Sequence, residues 1–163
     1  MNKRTCIFML TLLVGCAAPV QQSPTLPEMR LAPAEVQVPP ATNEQIGSSG
    51  VAGVRSKVLS GDPSKPGMYT LLLFVPAGTT IQAHSHRDNR MATVLAGEWR
   101  FAYGNRFDAA ALKVLPAGSA YTEPGGVYHF ARTEADAVVV LISGYGPTDT
   151  RYFDFENEPM AAK

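Results

Sequence analysis

Two glycine-bounded stretches constrain this chain more than anything else in it. The first runs from Gly78 to Gly97 and carries His84, His86 and Arg90. The second runs from Gly118 to His129 and carries Glu123, Pro124 and Gly126. Each opens on the same punctuation, Pro76-Ala77-Gly78 and Pro116-Ala117-Gly118, which ends one strand and turns into the next. His84 and His86 stand two apart in β-rich sequence, so the alternation of a strand puts both imidazoles on one face. Two imidazoles side by side can hold a transition metal. His129 follows the turn Pro124-Gly125-Gly126, which can return a third imidazole to the same point. The chain has 3 His, and all of them fall in these two stretches. Unrelated surface or core histidines would seldom land so.

The sequence around the two stretches is a series of short apolar runs broken by turn signals. Strands are predicted over 51–59, 68–75, 79–84, 91–95, 99–103, 112–115, 121–123, 128–132 and 137–143, with 152–155 as a last edge strand. Arg87-Asp88-Asn89 reads as a polar turn, Gly104-Asn105 as another, and 107–111 has room for one helical turn. The chain holds 14 Gly and 13 Pro, which favours a turn-rich β protein over a helical one. Roughly eight to ten short strands with turns between them suggest an all-β sandwich or small barrel. Strand alternation also puts Gln82 on the face of His84 and His86, as a weaker polar candidate.

At these residues the chain resembles the cupin superfamily. The first motif of that family is a glycine, five residues, His-x-His, a glutamate after three or four residues, and a second glycine six residues on. Gly78, His84, His86 and Gly97 match it, and Arg90 stands where the glutamate belongs. The second motif is a glycine, five residues, Pro-x-Gly, a histidine after two residues and an asparagine after three more. Gly118, Pro124, Gly126 and His129 match it, and Thr133 replaces the asparagine. The resemblance covers about residues 47–143 and implies an all-β fold, the cupin double-stranded β-helix, a small β-barrel or jelly roll. It also implies a divalent transition metal (iron, manganese, zinc or nickel) held by His84, His86 and His129. Arg90 cannot replace the missing carboxylate, because a guanidinium is always protonated and has no acceptor. Pointing inward it repels the metal or clamps an anionic ligand; pointing outward it is an ordinary surface arginine. Glu123 is the candidate substitute, at a position that is usually apolar in the family. A carboxylate there can reach the metal, pair with Arg90 or serve as acid or base. As a plain rim residue it would do none of these.

The N-terminus carries a different kind of signal. A charged start, Met1-Asn2-Lys3-Arg4, leads into an apolar run from Cys6 to Val14 that is too short for a comfortable transmembrane span. Leu13-Val14-Gly15-Cys16 resembles the bacterial lipobox, in which cleavage precedes the cysteine and the cysteine is acylated. An ordinary secretory leader cut near Ala17-Ala18 is the other reading. The organisation expected is a lipoprotein signal peptide over 1–15, a flexible tether rich in Pro and Gln over 16–46, and a cupin domain over 47–158. Cys16 then anchors the domain to a membrane through lipid rather than a helix. A cell-envelope, periplasm-facing address follows, at the outer membrane of a Gram-negative cell because Ala17 is not Asp. Cys6 and Cys16 are the only 2 Cys, so the folded part has neither disulfide nor thiolate ligand.

Charge narrows the partners. Lys plus Arg and Asp plus Glu are 14 each, and losing Lys3 and Arg4 with the leader leaves 12 against 14, a net −2. Nothing in that balance suggests nucleic acid. The expected partners are a small-molecule ligand, the membrane and a second copy of the chain in a homodimer. Two function classes stay open. One is a metal-dependent enzyme on a small molecule, oxygenase- or isomerase-like, with Glu123 and Arg90 as candidate catalytic residues. The other is a non-catalytic binding or sensing protein of the envelope. Tyr69, Phe74, Trp99, Phe101, Tyr103 and Tyr128 are candidate aromatic walls, each equally suited to plain core or rim.

Overall fold

The computed structural model describes Leu26, residues 28–36 and residues 48–159; the expected leader, Cys16 and most of the expected tether lie outside the described residues. Ten strands are described: β1 Arg55–Ser60, β2 Gly67–Val75, β3 Thr80–Ser85, β4 Arg90–Ala96, β5 Glu98–Tyr103, β6 Lys113–Pro116, β7 Ala120–Glu123, β8 His129–Arg132, β9 Val138–Gly146 and β10 Arg151–Tyr152. They form two five-stranded antiparallel sheets in the orders β1-β2-β9-β4-β7 and β10-β3-β8-β5-β6. The helical turn expected near 107–111 is a 3-10 turn at Ala109–Ala111, capped by the Asp108 carboxylate on the Ala110 amide. The last expected strand is shorter than the sequence suggests. Only Arg151 and Tyr152 pair, after which Asp154 caps a further 3-10 turn at Phe155–Asn157.

The core lies between the sheets. β9 shows why: its burial alternates, with Val138, Val140 and Ile142 turned inward. They meet Leu71 and Leu73 of β2, Val94 of β4, and Trp99, Phe101, Ile81 and Ala131 of the other sheet in one continuous cluster. Period-2 alternation across a half-buried sheet gives this pattern, and each fully buried aliphatic chain contributes about 1.5–3 kcal/mol. β2 departs from alternation and is apolar on both faces. Its outward Leu72 and Phe74 line a cleft of about 780 Å³ whose far wall includes Met29, Leu31 and Val36.

The two motif stretches are the crossings between sheets at one end of the barrel. Residues 86–89 carry the chain from β3 to β4, and residues 124–128 carry it from β7 to β8. The crossings are tied to each other: the Gly126 amide donates to the His86 carbonyl at 2.7 Å, and the Gly125 amide to the Asn89 side chain at 2.9 Å. Gly97 needs to be glycine, since its φ is +78° and a Cβ would lie 2.4 Å from the Ala137 carbonyl oxygen. Thr133, where the resemblance expected asparagine, closes the other end of this unit. Its hydroxyl donates to the Pro76 carbonyl at 2.5 Å and accepts from the Thr79 amide at 2.9 Å, so it pins the turn that opens the first motif.

Candidate metal centre

The site is built from two facing rungs, one in each sheet. In one sheet His84 of β3 sits opposite His129 of β8. In the other, Arg90 of β4 sits opposite Glu123 of β7. His86, on the first crossing, stands between them. All five side chains are buried. One ring nitrogen from each of the three imidazoles lies within 4.8 Å of the others.

Local hydrogen bonds fix which nitrogens converge. Nδ1 of His84 bonds the Gln82 carbonyl at 2.8 Å, Nδ1 of His86 the Asp149 carbonyl at 2.5 Å, and Nδ1 of His129 the Val127 carbonyl at 3.1 Å. A carbonyl only accepts, so each Nδ1 must carry the proton and each Nε2 keeps its lone pair. This outer-shell arrangement orients imidazoles as metal ligands. Nε2 of His129 is buried and has no hydrogen-bond partner. Burial, the largest influence, holds His84 down to about 3, with the neighbouring His129 adding to it. Burial and then the Arg90 charge hold His86 down to about 2. His129 is lowered by burial as well, against the opposing pull of Glu123. The three rings are therefore neutral at pH 7, which is the state a metal takes.

Arg90 points inward, and it pairs with Glu123. Its Nε donates to Oε2 of Glu123 at 2.5 Å, and its Nη2 contacts both that oxygen and Nε2 of His86, the latter at 2.5 Å. Burial alone would raise the Glu123 carboxyl, but the Arg90 guanidinium outweighs it and holds the group below the usual carboxylate range. Glu123 is thus a buried ionised partner and not a rim residue. Its oxygens also lie 3.7 Å from Nε2 of His86 and 3.8 Å from Nε2 of His129. With neutral rings these are neither ion pairs nor hydrogen bonds. The residues fit a divalent cation: three convergent neutral imidazoles, one buried lone pair without a partner, and a carboxylate alongside.

Two sequence expectations need correction. Gln82 does not share the histidine face. Ile81 pairs with Ala131 and His84 with His129, so three steps on β3 answer two on β8. The extra residue is a bulge that resets the alternation. Ile81 lines the site with His84, while Gln82 turns to an outer groove beside Phe107 and Phe153. Asp88 is no surface turn residue either. It is 8% exposed and accepts a hydrogen bond from the Tyr69 hydroxyl at 2.7 Å, although its neighbours Arg87 and Asn89 are exposed. Of the aromatic candidates, only Trp99 and Phe101 line the site. Phe74 faces the outer cleft, and Tyr128 packs on Phe153.

The sequence reading missed the cover of the site. The segment 148–153 and residues 48–50 lie over it. Tyr152 donates to the Ser49 carbonyl at 2.7 Å, Thr150 to the Ser48 carbonyl at 2.9 Å, and the Tyr152 ring lies 5.5 Å from that of His84. The only available signal was the short apolar alternation at Tyr152-Phe153, which says nothing about what it covers. The enclosed space is about 20 Å³, enough for one ion or one water. The larger outer cleft has no His, Asp or Glu in its lining and offers no comparable chemistry.

No family model matches the chain. A curated relative, the H2HPP isomerase of Bacillus subtilis, is 33% identical over 72 residues, which are 44% of this chain but 29% of that protein. Among solved structures, a chain from the crystal structures of the DMSP lyases RdDddP and RnDddQII superposes with a TM-score of 0.51 at 19% identity, over 60% of this chain and 51% of its own. An RmlC-like cupin from Shewanella frigidimarina gives 0.50 at 18% identity, over 74% of this chain and 92% of its own. A Cupin 2 conserved barrel domain protein from Salinispora arenicola gives 0.50 at 14%, over 73% and 88%. The chain spans about half or less of the isomerase and the lyase, and the structural likenesses speak to fold. Two antiparallel sheets joined at one end by the crossings that flank the histidines, superposable on these barrels, give this chain the cupin fold.

Proposed function

We propose that this chain is a metal-dependent enzyme of the cell envelope acting on a small molecule, with His84, His86 and His129 as the metal's protein ligands. One observation carries the reading: three buried, neutral imidazoles, each anchored through Nδ1 to a backbone carbonyl, turn their Nε2 atoms to one point. A divalent ion held there would supply Lewis-acid polarisation of a ligand oxygen or, if redox-active, a place for dioxygen to bind. The chain's own part is to bind, orient and exclude water. Trp99, Phe101, Leu73 and Ile81 supply a dry apolar wall. Arg90 and Glu123 face the triad as a bonded pair without net charge, so an anionic ligand that takes the guanidinium releases the carboxylate. The H2HPP isomerase and DMSP lyase relatives support a reaction on a small molecule, and their substrates are starting points for a screen.

A second reading has one observation behind it. The enclosed space admits an ion but no small molecule until the cover at Ser49 and Tyr152 moves, so in its closed form the site suits a protein that holds a metal and signals ligand entry by opening. Elemental analysis of protein purified without a His tag tests the shared premise. We expect about one divalent metal per chain in wild type and a loss in each of His84→Ala, His86→Ala and His129→Ala. Equal metal in wild type and the triple variant would overturn both readings. Turnover of any screened substrate that vanishes on chelation and returns with metal selects the enzyme. The envelope address belongs to the same proposal and rests on Leu13-Val14-Gly15-Cys16.

A further inference from the structure

We propose that Glu123 is a fourth metal ligand, supplied from β7, and that Arg90 is its positioning partner across the rung. The inference rests on the metal site proposed above and concerns how that site is completed.

The starting point is the register. Arg90 and Glu123 are directly opposite in the β4–β7 ladder, so their side chains leave the sheet on the same face, with Cβ atoms about 5 Å apart. The same rung also meets Gly144 of β9. Glycine is needed there because a Cβ at 144 would lie 2.6 Å from the Tyr69 hydroxyl and 2.7 Å from Asp88. β9 thus contributes no competing side chain. Which of the two paired positions carries the carboxylate therefore matters little to where the carboxylate ends. The arginine at position 90 removes it from β4, and the glutamate at 123 restores it one strand away.

Distances support this placement. A metal with bonds of about 2.1 Å separates adjacent ligand atoms by about 3.0–3.5 Å. The two oxygens of Glu123 lie 3.7 and 3.8 Å from Nε2 of His86 and His129, respectively. A few tenths of an ångström separate the present arrangement from a coordination edge. A direct obstacle is the Arg90 hydrogen bond to His86, which uses the lone pair a metal needs. Arg90 must yield that contact when a cation enters.

Charge explains why it can. Asp88 is buried, its Oδ2 is bonded by Tyr69, and its Oδ1 has no partner. Asp88 lies two residues before Arg90, and its charge acts on the guanidinium. When Glu123 shares its charge with a cation, Asp88 remains to balance Arg90. With a divalent ion, one guanidinium and two carboxylates, the enclosed set carries +1. This leaves room for a monoanionic ligand.

Cobalt(II) titration of tag-free wild type, Glu123→Gln and the exchange variant R90E/E123R tests the assignment, with the ligand-field spectrum and metal affinity as readouts and no substrate involved. In Glu123→Gln we expect affinity to fall at least tenfold and the cobalt spectrum to change. In the exchange variant, which returns the carboxylate to β4 on the same rung, we expect affinity within about tenfold of wild type and the spectrum restored. Unchanged affinity and spectrum in Glu123→Gln overturn the proposal while leaving the three-histidine site intact. Failure of wild type to bind cobalt overturns both. If Glu123→Gln does not fold, the exchange variant decides: a folded exchange protein that binds no cobalt overturns the proposal.

Discussion

Removing Arg90 while leaving Glu123 strands a charge inside the barrel, and the structure sets the size of the effect. The Arg90 and Glu123 side chains are 3% and 5% exposed, so water cannot take over from the guanidinium. Breaking a buried pair from one side costs about 3–5 kcal/mol, whereas replacing both partners with apolar groups is often neutral or better. Arg90→Met in metal-free protein should therefore lose about 3–5 kcal/mol at pH 7. For a domain of this size, at about 4 °C per kcal/mol, the melting temperature should fall by about 12–20 °C. The double variant R90M/E123M should recover most of that loss. It should not exceed wild type by much, since Nε2 of His86 loses its donor in both variants. The pH dependence has a definite sign. In wild type the Glu123 carboxyl is held low by Arg90, and the pair's stability is present above the unfolded carboxyl pKa and lost as pH falls through the folded one. Without Arg90, burial raises the group instead, so it takes a proton more readily and the Arg90→Met penalty should shrink from pH 7 to pH 5. Urea unfolding of the four corners of the double-mutant cycle, with chelator at both pH values, measures this. A loss below about 1 kcal/mol at pH 7, or a double variant as unstable as Arg90→Met, would show that the pair is solvated and refute the reasoning.

Two further outcomes follow from the same site and from the proposed lipid anchor. The folded pKa values of His84, His86 and His129 are depressed, so below about pH 6.5 the unfolded chain takes up protons that the folded one refuses; metal-free stability should fall with acid by up to about 1.4 kcal/mol per pH unit per histidine. Saturating metal should oppose the loss near neutrality by about 2.7 kcal/mol at a hundred times its Kd, and a flat acid profile would count against buried neutral imidazoles. In cells, Cys16→Ser should move the protein from the membrane to the soluble envelope fraction, and intact-mass analysis of wild type should show a diacyl or triacyl mass starting at Cys16; an unmodified N-terminus elsewhere would exclude the anchor.

Much of the fold and half of the site were legible in the sequence, and the division has a physical basis. The glycines and prolines at 76–78, 97, 116–118 and 124–126 mark the turns, because backbone geometry there admits few other residues. The three histidines follow from their spacing relative to those turns. What failed was parity. A strand's alternation is readable only while its ladder is regular, and the bulge between Ile81 and His84 has no residue signature in Thr80-Ile81-Gln82-Ala83. It moved Gln82 out of the site and Ile81 in. Asp88 failed for a related reason: a polar turn looks solvated until Tyr69, nineteen residues earlier in the chain, is brought over it by the β2–β9–β4 pairing.

Arg90 and Glu123 show the same limit from the other side. Each breaks the family pattern, and taken singly each looks like a lost ligand or a stray charge. Only the ladder register makes them one feature, because a rung is a contact between residues 33 apart that neither local sequence encodes. Seen as a rung, the two departures compensate: the cation at 90 would be intolerable beside a metal without the anion at 123, and the anion would be intolerable in a dry barrel without the cation. A chain that carried either substitution alone should lose the barrel or the metal. It follows that the two positions must change together, and that R90E or E123R alone should behave worse than the exchange of both.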